Sequence, residues 1–130
     1  MEKKEYYKYL FLIGAVWNWL TGITFITTSI FMPDVYVLFG TDAPSSLVWM
    51  HIFFIFVIIF GIGYYWVGRN IDGNHGIVKM GIIAKLTVFV VFGYYFLVGD
   101  FNLLVFGPTG IDLVFPLLFI EFLLNYPKLP

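Results

Sequence analysis

Four long apolar stretches dominate this chain of 130 residues and leave few architectures open to it. A helix needs about 20 mostly apolar residues to cross a hydrocarbon layer about 30 Å thick. Residues 9–32, 47–67 and 77–98 meet that length, and residues 112–126 come close. At about 1.5 Å per residue the last stretch is short of a full crossing. Either it thins the bilayer, or the apolar run FNLLVFG before it also lies at membrane depth. With 61% hydrophobic and only 12% charged residues, the chain has too little polar surface to fold around these stretches in water. The expected fold is all-α: a single transmembrane four-helix bundle over residues 1–130.

The opening segment MEKKEYYKYLFLIGAVWNWLTGITFITTSIFM is apolar for longer than a signal-peptide core and has no A-x-A site, so it reads as a retained membrane helix. PDVYVLFGTDAPSS and GDFNLLVFGPTGI carry proline and glycine breakers, and GRNIDGNHG is a polar turn. Lys3, Lys4, Lys8, Arg69, Lys79 and Lys128 fall on the side of the termini and the middle turn, while the other two loops carry only Asp34, Asp42 and Asp100. Positive residues favour the cytoplasmic side. Both termini are therefore expected in the cytoplasm, with the protein in a prokaryotic inner membrane.

Lys85 is the one basic residue that orientation does not need. It interrupts GIIAKLTVFVVFGYYFLVG, residues 81–99, and an unpaired lysine at mid-membrane costs on the order of 2.5 to 3.5 kcal/mol on insertion scales. A partner or a wet cavity with a function attached is expected, against the plainer possibility of a snorkelling or merely salt-bridged lysine. By depth, Glu121 is the favoured carboxylate, with Asn125 one turn beyond it. Asp112 reads first as the N-cap of the fourth helix and second as a partner of His51 in an outer protonatable pair. Tyr64, after the glycines of GIGYYW, is placed to reach the Lys85 layer.

Laying the first hairpin over the second, as a duplication would, supplies a counterpart for the lysine. At an offset of 67, Gly14 falls on Gly81, Asn18 on Lys85 and VLFG on LVFG; with a one-residue slip, Ser46 falls on Asp112. Two parallel helical hairpins would put Asn18 and Lys85 at one depth across an axis along the membrane normal. Most aromatic residues lie near helix ends, as interfacial anchors do. Trp17 and Trp19 are exceptions that flank Asn18 and are expected against lipid.

The absence of cysteine excludes disulfides and thiolate chemistry, and the two histidines, His51 and His75, lie in different segments, so neither a metal site nor another cofactor is expected. A net charge of −1 gives no reason to expect a nucleic-acid partner. The expected partners are membrane lipids and either further copies of the chain or a larger membrane complex.

The asparagine of the first span, GIGYYWVGRN, HGIVKMGIIAKLTVF and GIDLVFPLLF together resemble the pattern of small prokaryotic four-helix membrane proteins of uncharacterised function. That resemblance implies only that Asn18, Gly63, Tyr64, Lys85 and Asp112 are positions to test. The residues themselves favour a non-catalytic binding or permeation element for an anion, a proton or a lipid headgroup around Asn18, Lys85 and Glu121. The alternatives are an accessory subunit of a larger complex and an enzyme acting on a lipid or isoprenoid, with His51 and Asp112 as acid and base.

Overall fold

A computed structural model describes residues 2–129. Four helices in it are long and apolar enough to cross a membrane: α1 (Lys3–Phe31), α3 (Val48–Arg69), α4 (His75–Leu97) and α5 (Leu103–Asn125). A single-turn helix, α2 (Val35–Leu38), lies between α1 and α3, and a 3₁₀ turn, Tyr126–Lys128, follows α5. Their surface is built for lipid. Ile13, Leu20, Ile23, Ile59, Ile83 and Leu117 are all about half exposed or more, a display that water tolerates only in small patches. The chain is an integral membrane protein with the architecture of a four-helix bundle.

Packing is uneven between the helices. α1 lies closely along α3, and α4 along α5, while the two hairpins thus formed meet more loosely. Glycine makes the first of these contacts possible. A Cβ at Gly61 would lie 2.6 Å from the Trp19 ring, and one at Gly22 would lie 3.0 Å from the Phe54 carbonyl oxygen. Only glycine lets the backbones come this close.

Along all four helices the half near the chain termini is filled. Phe11 stacks on Phe119 with ring centroids 4.7 Å apart, Phe122 meets Phe11 edge-on at 5.1 Å, and Tyr64 lies against Phe119 at 5.1 Å. These rings, with Tyr7, Val67 and Val78, are fully or almost fully buried. The half toward the α1–α3 and α4–α5 loops is less filled, and there the hairpins part around a cavity.

The last membrane helix departs from the expected 112–126. It begins nine residues earlier because Asn102 caps it, its side chain accepting from the Leu104 amide at 3.0 Å. The FNLLVFG run is thereby helical except for its first two residues, which is the longer of the two alternatives left open above. Pro108 and Pro116 both lie inside the helix. Each removes one backbone hydrogen bond without ending the helix, as membrane helices permit. At 23 residues and about 1.5 Å each, α5 needs no thinning of the bilayer. The other three spans differ from expectation mainly at their ends, α1 most of all, starting at Lys3 rather than residue 9.

Candidate functional site: a polar layer at the floor of an apolar cavity

Lys85 lies ten residues into α4, about 15 Å from its start and about 18 Å from its end at 1.5 Å per residue. It is therefore near the middle of the span and too deep for its ammonium to escape easily. Only 5% of the residue is exposed. Its Nζ donates to Asp112 Oδ1 on α5 at 2.5 Å and to Asn18 Oδ1 on α1 at 2.9 Å. Asn18 in turn donates through Nδ2 to the Val57 carbonyl of α3 at 2.9 Å, and Trp17 Nε1 of α1 donates to Asp112 Oδ1 at 3.1 Å. The circuit closes through all four membrane helices.

This layer corrects the expected pairing of Lys85 with Glu121. Because α5 starts at Leu103, Asp112 is not a cap at a helix end; it lies nine residues inside, level with Lys85. Glu121 faces the terminal end of the bundle. Its Oε1 accepts from Tyr7 at 2.8 Å, from Asn125 at 3.0 Å and from Lys3 at 3.5 Å, while its buried Oε2 has no partner among the described residues. His51 does not meet Asp112 either: its Nε2 lies 2.9 Å from Ser29 Oγ. The proposed outer acid–base pair is thus not formed.

Tyr64 does reach the layer, presenting its ring to the ammonium rather than a hydrogen bond from its hydroxyl. Lys85 Nζ lies 5.6 Å from the Tyr64 centroid and 5.3 Å from that of Phe115, within range of cation–π attraction. Trp17 and Trp19, expected against lipid, instead spend their indole N–H groups on Asp112 and on the Ile58 carbonyl at 3.2 Å. The role of Trp17 had no signal in the sequence beyond its place next to Asn18.

The repeat offset of 67 joins Asn18 to Lys85, and these two residues are directly hydrogen bonded. Beyond them the halves differ. VLFG ends the short helix α2, whereas LVFG lies inside α5. Ser46 Oγ accepts from the Val48 amide at the start of α3, whereas Asp112, its counterpart, is mid-helix and free to bind Lys85.

Above the layer, on the loop side, is a cavity of about 140 Å³. Asn18, Tyr64, Lys85 and Asp112 line it at one end, and its walls include Phe25, Phe53, Phe54, Phe60 and Phe92. The floor retains unused polar capacity. An ammonium has three donors, of which Asn18 and Asp112 take two. Asp112 Oδ1 receives both bonds made to that carboxylate, and Oδ2 receives none among the described residues. Pro116, lacking an N–H, also leaves the Asp112 carbonyl without its usual helical donor four residues on.

No protein-family model matches the chain, and no curated protein or solved structure matches it.

Proposed function

We propose that the protein is a non-catalytic binding element that holds, inside the membrane, an apolar molecule by a polar group. The observation that carries this reading is the cavity ending on Lys85 and Asp112. A layer whose groups served only one another would not need an open space of about 140 Å³ beside it. Binding is favoured over permeation because Phe11, Phe119, Phe122 and Tyr64 fill the bundle immediately beyond the layer. An anion is disfavoured because the lysine charge is already matched by Asp112, which would repel a second negative group. A neutral polar group meets no such repulsion.

The reading is tested by purifying the protein gently from its own membrane and identifying bound molecules by native mass spectrometry. A small apolar species should travel with the wild-type chain and be lost from the double variant Lys85→Met/Asp112→Asn, which removes the ion pair without leaving one charge alone. Identical bound species in both proteins, or none in either, would remove the basis for the proposal.

A further inference from the structure

The chemical class of the occupant follows from the size, lining, depth and surroundings of the cavity. We infer that it takes an uncharged head the size of one six-membered ring, bearing a carbonyl or hydroxyl oxygen that accepts from Lys85 Nζ, on a molecule otherwise apolar. The inference rests on the binding reading above and adds the identity of the ligand's head and its route of entry.

Size sets the first limit. A cavity of about 140 Å³ is close to the roughly 150 Å³ engineered apolar cavity that accommodates benzene. A groove beside it, about 170 Å³, gives room for the rest of the molecule. Shape agrees, since Phe25, Phe53, Phe54, Phe60 and Phe92 surround the space and aromatic faces and edges pack well on a flat ring. Chemistry at the floor is equally restrictive. The one ammonium donor not engaged by Asn18 or Asp112 is free to serve an acceptor in the cavity, and the neighbouring carboxylate disfavours an anionic one.

Depth and access exclude the ordinary lipids of the bilayer. Lys85 is about 15 Å or more from either end of α4, so a zwitterionic or anionic headgroup would have to leave the interface to reach it. An uncharged ring on an apolar tail is already soluble at that depth. The route is lateral. Phe53, Val88 and Phe92 line both the cavity and the groove between α3 and α4 that Thr87 and Val91 continue, and these two residues are exposed on the lipid-facing side of α4. The groove marks this seam, where α3 and α4 touch only loosely, as the way in.

Three probes separate the parts of the inference: 4-hexylacetophenone has ring and carbonyl, hexylbenzene the ring alone, and 2-dodecanone the carbonyl alone. Binding to the protein in phosphatidylcholine vesicles is measured by saturation-transfer NMR, with dissociation constants referred to probe concentration in the bilayer. A single hydrogen bond from a charged donor corresponds to roughly ten- to a hundredfold in affinity, so 4-hexylacetophenone should bind at least tenfold tighter than hexylbenzene. It should also exceed 2-dodecanone. In Lys85→Met/Asp112→Asn the preference over hexylbenzene should collapse, while hexylbenzene itself still binds. Val88→Phe, which narrows the cavity and keeps both residues of the ion pair, should weaken binding of all three.

Binding as tight in Val88→Phe as in the wild type would overturn the location, and an unchanged preference in the double variant would overturn the role of Lys85. If 2-dodecanone equals or exceeds the aromatic ketone, the ring class is overturned while the binding reading stands. The same holds if no probe binds but the natively purified protein carries a molecule that depends on the ion pair. If no probe binds and no such molecule is found, both fall together.

Discussion

A single ion pair concentrates most of the polar chemistry in the membrane-spanning part of this protein. Lys85 is 6% and Asp112 19% exposed at the side chain, and removing one partner leaves the other buried and uncompensated. Lys85→Met or Asp112→Asn alone should each destabilise the bundle by about 3 kcal/mol or more. The double variant should recover much of that loss, and the double-mutant cycle, read from unfolding in detergent, should show strong coupling rather than additivity. Asp72 is a contrasting case, in the α3–α4 turn and exposed to water. Hydrogen bonds from Tyr126 at 2.8 Å and Lys4 at 3.1 Å hold its carboxyl below the usual carboxylate range. A carboxylate whose pKa is lower folded than unfolded contributes its stability above the unfolded value, about 3.9, and loses it as pH falls through the folded value. The small, salt-sensitive difference in melting temperature between wild type and Asp72→Asn should therefore be constant from pH 7 to 5 and vanish in stronger acid. Lys85 announced itself in the sequence because a charge in an apolar run is costly. Its true partner did not, because the depth of a carboxylate depends on where its helix starts.

At the scale of the element, that start was the decisive unknown. Gly107, Pro108 and Gly110 look like a break, and only the cap formed by Asn102 and the apolar residues after it show that the helix runs through them. The four spans themselves were legible, since length and hydropathy decide them without reference to packing. The close pairing of α1 with α3 was not, because it depends on which glycines face a neighbour. Gly61 meets Trp19 and the Ala15 carbonyl, whereas Gly107 has open space around its Cβ position. Gly61→Ala should displace Trp19, break its bond to the Ile58 carbonyl and cost about 1 to 3 kcal/mol, as overpacking does. Gly107→Ala should leave thermal unfolding nearly unchanged. Equal effects of the two substitutions would contradict this account of the interface.

For the molecule as a whole, two hairpins are packed tightly at one end, held at mid-depth by one polar circuit and parted beyond it. The distribution of lysine and arginine further predicts that the termini and the α3–α4 turn face the cytoplasm. The chain has no cysteine, so single cysteines at Glu2, Gly73 and Asp42 can be labelled without background in intact cells. The membrane-impermeant reagent should reach only the one at Asp42. The cavity between the hairpins can be interrogated from within by replacing Val88 with photo-leucine, whose diazirine adds no bulk comparable to a ring. On irradiation in native membranes, mass spectrometry should find the chain joined to one small apolar, oxygen-bearing molecule, and far less of it when Lys85→Met/Asp112→Asn is also present. Capture of phospholipids alone, in the proportions of the surrounding membrane and unaffected by the double substitution, would contradict a binding site built on Lys85 and Asp112.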